Sequence, residues 1–322
     1  MLLSIIIPTF NRINLVKYTL DSLDDTHHKG INREIIVVDD GSADGTWEFI
    51  AKEYPEVVLL KNKGKGAASA RNTGLFAAKG KYIMYLDSDD LVGENFFAQK
   101  INMLEAHPAL GACYGEYDVF ASDGAFDPAK ILFRHKYPLI TAADDSEPHL
   151  VNYLAGTFMP LNAIIWRRDI LLQCKGHDTN LAINQDVDLF IRAIFNGLKI
   201  RAVADNTKVF IRNHELDKRV GDPMNDSGKW LQILELRKNI VESLKAKGYN
   251  DAKFYRAVSN YIFGYWKKLR HLHPGIAREY LAFSRKVYWP VDIRGHLFYR
   301  LLSKILGPVR AVEMKYFLLK RD

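Results

Sequence analysis

Three carboxylates crowd into four residues at Asp87-Ser88-Asp89-Asp90, directly after the apolar, aromatic run Tyr82-Ile83-Met84-Tyr85-Leu86. The run has the composition of a buried strand. Packing alone gives no reason to end such a strand in so much negative charge. Crowded carboxylates raise one another's pKa unless a cation or hydrogen-bond donors compensate. A hard divalent cation takes oxygen ligands, and Mg²⁺ commonly combines one or two carboxylates with substrate phosphates. Two readings stand at this point: a metal–diphosphate site, or a polar turn that caps the next helix, since Asp is a good N-cap. A second acidic pair, Asp39-Asp40 before Gly41-Ser42, follows the apolar run Glu34-Ile35-Ile36-Val37-Val38.

The segments around these acids show what must position them. Leu2 to Ile7 is continuously apolar and β-branched, as in a parallel sheet covered on both faces. Pro8-Thr9-Phe10-Asn11-Arg12 breaks that strand, and Leu15 to Leu23 carries apolar residues at helical spacing. A helix is predicted from Asp44-Gly45-Thr46 through Tyr54, and a third strand from Val57 to Leu60. A flexible basic loop follows at Asn62-Lys63-Gly64-Lys65-Gly66, then a helix from Ala67 to Ala78 with Gly80 as its stop. This alternation of strand and helix predicts an α/β fold with a parallel sheet and right-handed crossovers. Ligands of such sheets bind beyond the carboxyl ends of the strands. Pro8-Thr9, Asp39-Asp40 and Asp87 to Asp90 all fall there. The Gly-x-Gly-x-x-Gly of dinucleotide dehydrogenases is missing after the first strand, and Gly64-Lys65-Gly66 only echoes a P-loop. Acids at two strand tips suit recognition of a base or ribose together with a metal on a diphosphate.

The 322 residues suffice for one large domain or two smaller ones, with the apolar and charged fractions of a soluble globular protein. No apolar run approaches the roughly 20 residues of a membrane span, and the apolar start reads as a strand and not a signal peptide. Cys113 and Cys174 lie far apart and suggest a reducing compartment without a disulfide. The net charge of +7 is uneven: Lys253 to Asp322 holds 15 basic and 4 acidic residues, and the preceding chain 30 basic and 34 acidic. A basic tail of this kind faces an anionic surface.

Four ordered motifs now carry a resemblance. They are Ser4-Ile5-Ile6-Ile7-Pro8-Thr9-Phe10-Asn11-Arg12, the Asp39-Asp40-Gly41-Ser42 turn with Asp44-Gly45-Thr46, Ala70-Arg71-Asn72-Thr73-Gly74, and Tyr85-Leu86-Asp87-Ser88-Asp89-Asp90. Together they resemble the family 2 glycosyltransferases, inverting enzymes of the GT-A fold that use nucleotide sugars. The resemblance implies an α/β GT-A fold, a mostly parallel Rossmann-like sheet flanked by helices, here with a helical C-terminal extension. It implies Mn²⁺ or Mg²⁺ as cofactor and favours the metal reading of the acidic tip. By the same resemblance Pro8, Thr9 and Phe10 line the nucleoside, Asp40 in preference to Asp39 accepts from the base, and Arg71 reaches the nucleotide. Asp89 is the firmest metal ligand of the Asp-x-Asp motif. Asp87 contacts ribose or metal-bound water, with Ser88 beside it, and Asp90 is structural. Ile183-Asn184-Gln185-Asp186-Val187-Asp188-Leu189-Phe190-Ile191-Arg192 is similar to the family's Glu-Asp-x-x-Leu-x-x-Arg motif at a helix start, departing from it at Gln185. This carries the catalytic base to Asp186, with Asp188 as the alternative if the alignment shifts. His214 stands where family members often complete the metal shell, although a lone His more often does something else. His271 and His273 read as helix-end residues.

The expected organisation is a nucleotide-sugar-binding half (1–110), an acceptor-binding and catalytic half (111–225) and a basic helical region (226–322). The polar stretch from Thr141 to Pro148 reads as a loop. In the basic region Trp230, Leu231, Ile233, Leu234, Leu236 and Ile240 mark one helix. Leu297, Phe298, Leu301, Leu302 and Ile305 form a later apolar stripe. Basic amphipathic helices can lie in a membrane interface, so peripheral membrane contact through 294–321 is expected, against ordinary packing as the alternative. The expected function is transfer of a sugar from a nucleoside-diphosphate sugar, a UDP-sugar first, to a saccharide or lipid-linked saccharide in surface polysaccharide or glycolipid synthesis. The expected location is cytoplasmic, peripheral on the inner face of the cell membrane, with no nucleic-acid partner. The alternatives are a sugar nucleotidyltransferase, which lacks support because no Gly-rich basic loop follows the first strand, and a non-catalytic nucleotide-sugar or carbohydrate-binding module, for which Gln185 speaks.

Overall fold

Runs of Ile and Val without polar alternation must be covered on both faces, and the first strand, β1 (Leu3–Thr9), is buried from Leu3 to Ile7. The structure, a computed structural model, describes residues 3–121, 124–134, 137–141, 146–213, 226–291 and 303–319. β1 pairs in parallel with β2 (Arg33–Asp39) and β4 (Tyr82–Tyr85), and β2 in parallel with β3 (Val58–Lys61). On the far side of β4 stands β9 (Ile164–Arg167), antiparallel to both neighbours, then β6 (Ala112–Tyr114) and β10 (Ile200–Ala202) in parallel. Among the described residues the sheet order is β10-β6-β9-β4-β1-β2-β3. A second, smaller sheet has the order β5 (Leu91–Val92), β11 (Lys208–Arg212), β7 (Glu116–Phe120), β8 (Ile131–Arg134).

Registers decide what meets at the strand ends. Thr9 is level with Asp39, and Ile6 with Tyr85. The Asp40 amide then donates to Thr9 O at 2.9 Å and the Leu86 amide to Ile6 O at 3.0 Å. The three predicted ligand-binding tips therefore share one edge. Helices α1 (Val16–Asp21), α2 (Thr46–Glu53), α3 (Gly66–Ala77), α4 (Phe96–Ala106), α6 (Arg168–Gln173) and α7 (Gln185–Phe195) intervene between strands. α3 packs on β1 and β2. Its Gly74 allows this approach, since a Cβ there would stand 2.4 Å from Ile6 Cγ2. α4 carries a fully buried Lys100, whose ammonium meets Asp205 at 3.0 Å and Thr207 Oγ1 at 2.8 Å. A buried cation needs such partners, and the pair fixes the chain entering β11.

The chain divides into two compact units, Met1–Ser146 with Phe158–Gly221, and Glu147–Thr157 with Asp222–Asp322. The second unit is helical: α5 (Glu147–Leu154), α8 (Ser227–Ala246), α9 (Ala252–Leu272), α10 (Pro274–Val287) and α11 (Pro308–Leu319). Asp226 and Asp251 cap α8 and α9 by accepting from the amides of Lys229 and Lys253. Arg237 of α8 is completely buried, its guanidinium 4.1 Å from the Tyr261 ring centroid and donating to Tyr153 O. That contact ties α5 to the C-terminal helices, although α5 lies within 111–225 in sequence.

One local expectation is corrected. The predicted loop Thr141–Pro148 ends in helix, because α5 begins at Glu147 and a proline is tolerated in a first turn, where its missing N–H has no helical partner. Leu231 is 43% exposed, since one residue's rotation along α8 carries it away from the buried face of Trp230, Ile233 and Leu234. His214 and most of the predicted Leu297–Ile305 stripe lie outside the described residues. Among the described residues no helix is long and apolar enough to cross a membrane.

Candidate active site

The loop after β1 is stitched to the turn after β2. The Asn11 amide donates to Ser42 Oγ, the Ala43 amide to Asn11 Oδ1, the Arg12 amide to Thr46 Oγ1 and the Ile13 amide to Asp44 Oδ2, all within 3.1 Å. Phe10 is left 53% exposed at the tip. Asp39 is buried and accepts from the amides of Gly41 and Ser42, so it builds the turn. Asp40 is the more open acid. It accepts from Asn62 Nδ2 at 2.6 Å and from the Gly66 amide at 2.8 Å. The stretch Asn62–Gly66, predicted as flexible, is thus tethered: Asn62 Oδ1 also accepts from Ser69 and Thr73.

The acids after β4 divide by environment. Asp90 is 2% exposed and accepts from the Arg212 amide at 2.7 Å and Asn162 Nδ2 at 2.5 Å, while Arg212 Nε donates to Asp89 O. It joins the acidic tip to β11, and burial, with Asp87 and Asp89 adding to it, pushes its carboxyl well above the ordinary range. Asp87 has a 49% exposed side chain and pairs with Arg71 Nη2 at 2.8 Å. Burial of its carboxyl raises its pKa, Arg71 opposes, and the nearby Asp89 and Asp186 raise it further. The Asp89 carboxylate stands 3.5 Å from Arg12 Nε. Ser88 is buried between them. Asp87 and Asp89 thus offer hard oxygen donors in a locally over-negative site, a set that fits Mg²⁺ or Mn²⁺ with positions left for phosphate. Among the described residues they are not joined by a third such side chain.

Asp186 sits in the first turn of α7, after Asn184 at φ +61°. Its Oδ1 is buried, 3.7 Å from Arg71 Nη1 and 3.4 Å from His177 Nε2, although the side chain as a whole is 46% exposed. The exposed side of the carboxylate is therefore the Oδ2 side. Burial favours its neutral form, but Arg71 and His177 outweigh this and hold its pKa at about 2. Asp188 is committed elsewhere: it accepts from Arg192 at 2.8 and 2.5 Å. Arg192 in turn donates to the carbonyls of Cys174 and Gly176. Gln185 donates to Leu181 O and takes no part in the cluster described here.

Arg71 thus stands between Asp87 and Asp186, with only 9% of its side chain exposed. Its neighbour Asn72 forms a reciprocal pair with the backbone of His177, Nδ2 to O and N to Oδ1, both at 2.8 Å. Asp87, Asp89, Arg12, Arg71, Asn72, His177 and Asp186 all belong to the first unit. Sequence reasoning missed Asn72, Asn162 and His177. Asn72 could have been flagged by its place in Ala70-Arg71-Asn72-Thr73-Gly74; nothing marks His177.

Residues 4–165 match the sequence profile of the family described as "Glycosyl transferase family 2". The chain is 25% identical over 254 residues to the minor teichoic acid biosynthesis protein GgaB of Bacillus subtilis (strain 168), covering 75% of this chain and 26% of GgaB. It is 41% identical over 130 residues to the UDP-Glc:alpha-D-GlcNAc-diphosphoundecaprenol beta-1,3-glucosyltransferase WfaP of Escherichia coli, covering 39% of this chain and 51% of WfaP. It spans a quarter to a half of the length of these two relatives. Among solved structures, S. aureus TarS 1-349 in complex with UDP-GlcNAc superposes with a TM-score of 0.67 at 18% identity, over 99% of this chain and 92% of that one. The fold shared with it is the GT-A fold.

Proposed function

The chain belongs to glycosyl transferase family 2, and from that premise we propose that it is an inverting, metal-dependent glycosyltransferase. Its donor is a nucleoside-diphosphate sugar, a UDP-sugar first. Its acceptor is a hydroxyl of a saccharide or lipid-linked saccharide in the synthesis of a surface polysaccharide or glycolipid. The observation that carries this reading is the Arg71 bridge, 2.8 Å to Asp87 on one side and 3.7 Å to Asp186 on the other. It sets a carboxylate suited to the donor diphosphate and a carboxylate suited to the acceptor about one guanidinium apart. The donor names attached to WfaP and TarS, UDP-Glc and UDP-GlcNAc, support a UDP-sugar.

In this scheme Phe10, beside Pro8 and Thr9, covers the nucleoside, with Asp40 at the base. Asp87 and Asp89 would hold a divalent cation, and such a cation would supply stabilisation of the negative charge that grows on the leaving diphosphate. Arg12 adds a positive charge beside Asp89. The acceptor hydroxyl gives its proton to Asp186 Oδ2 while its oxygen bonds to the anomeric carbon, and the bond from that carbon to the diphosphate oxygen breaks with its electron pair. A carboxylate whose pKa is near 2 stays ionised at neutral pH, so the base is ready without prior deprotonation. His214 is a further candidate ligand. The basic helical region is assigned to the face of an anionic membrane, placing the enzyme peripherally on its cytoplasmic side.

Calorimetry with UDP-, GDP- and dTDP-sugars, each with Mn²⁺ and with EDTA, tests this reading. Metal-dependent binding of one nucleotide class is expected, and binding that ignores EDTA overturns the role given to Asp87 and Asp89. Release of a nucleoside diphosphate, and not pyrophosphate, separates transfer from nucleotidyl chemistry.

A further inference from the structure

His177 is 3% exposed, and its ring packs edge-on against Tyr85 with centroids 5.0 Å apart at 77°. Its backbone is pinned at both N–H and C=O by Asn72. The preceding Gly176 adopts φ +70°, and a Cβ there would stand 2.2 Å from Asn72 Oδ1, so this turn accepts no side chain before the histidine. The ring therefore has little freedom to turn away. Its Nε2 faces Asp186 Oδ1 at 3.4 Å, and both atoms are buried without a closer hydrogen-bond partner among the described residues. Two buried polar atoms in this position are costly unless they satisfy each other. Only the tautomer with hydrogen on Nε2 makes the approach attractive; a bare nitrogen lone pair would face a carboxylate oxygen. Catalytic hydrogen bonds are often long before substrate binds and tighten afterwards.

We propose that His177 is a positioning residue for the base: its Nε2–H holds the buried oxygen of Asp186 and so presents the exposed oxygen to the acceptor. The role rests on Asp186 being the base. Burial depresses the imidazole pKa, so the ring is neutral at pH 7. It directs the carboxylate without adding a second full charge to that of Arg71. Phenylalanine would fill the same space beside Tyr85 but would leave Oδ1 facing a ring edge, with Arg71 at 3.7 Å as the remaining hold on that oxygen.

The test begins with nitrogen-resolved NMR of the imidazoles of the full chain, with the His177 signal assigned by its loss in His177→Gln. A neutral Nε2–H tautomer is expected, with a resonance that moves in Asp186→Asn. An Nδ1–H tautomer, or a resonance indifferent to Asp186→Asn, overturns the proposal without reference to activity. Release of UDP from UDP-Glc and UDP-GlcNAc, with water as acceptor and Mn²⁺ present, supplies the second readout. His177→Phe should lower kcat by about tenfold to a hundredfold, the size expected for a misplaced reacting group, with KM for the donor unchanged. His177→Gln, which keeps a donor, should recover most of the loss. Wild-type kcat in His177→Phe overturns the proposal. Wild-type kcat in Asp186→Asn overturns the base assignment itself, while the NMR shift continues to report the contact independently.

Discussion

Asp186 and Asp188 lie two residues apart on one helix, and their surroundings give them different work. Asp188 is spent on Arg192, which holds the carbonyls of Cys174 and Gly176. Asp186 keeps one side of its carboxylate open. Asp186→Asn should therefore leave donor affinity intact and cut turnover by about 10²–10⁴-fold, the usual worth of a general base. Asp188→Asn should act mainly on stability, with a lowered melting temperature and donor affinity retained. Steady-state kinetics with calorimetry on both variants checks this, and equal turnover by Asp186→Asn and wild type would sink the assignment.

At the scale of elements, α3 is the part on which the site turns. Its Gly74 lets it lie against β1, its Arg71 reaches both carboxylates and its Asn72 clamps the turn before α7. Gly74→Ala removes a poor helix former, which by propensity alone would stabilise by about 1 kcal/mol. The added methyl would stand 2.4 Å from a buried Ile6 methyl. Overpacking of this kind typically costs about 1–3 kcal/mol, so a net loss of stability is expected in urea unfolding. A gain would show that β1 yields without cost.

For the whole molecule, pH and charge are the informative variables. His28 is buried against Phe97, its Nε2 3.0 Å from Ser22 O, and burial holds its pKa down to about 4. The unfolded chain binds the proton near pH 6.5, so the stabilisation from a neutral His28 is present above that pH and is lost as the pH falls toward 4. The full loss corresponds to about 3 kcal/mol. Melting temperature should fall across this window, less steeply in His28→Phe; an identical slope in that variant would assign the effect elsewhere. The helical unit carries Arg278, Arg285, Lys286, Lys304 and Arg310, with Ile305 79% exposed. Sedimentation with vesicles should show binding to anionic and not to neutral lipid, weakening as salt screens the charge. Equal binding to both would remove electrostatics from the account.

The sequence by itself determined the alternation of strands and helices, the parallel arrangement around β1 and the acidic tips at its carboxyl edge. Each of these is local: apolar runs, turn residues and the order of motifs already contain it. The strand-end acids and Asp186 could likewise be picked out as candidates, because each stands in a run of neighbouring motif residues. Tertiary structure alone decided which acids are taken up in holding the fold together. Asp39 is consumed by its own turn, Asp90 by Arg212 and Asn162 at separations of 122 and 72 residues, and Asp188 by Arg192. It also brought His177 to Asp186 and Asn72 to His177 across 105 residues. A lone histidine nine positions before an aspartate carries no period or spacing that marks it. Its significance comes from packing, which places two buried polar atoms face to face, where each is costly unless the other satisfies it.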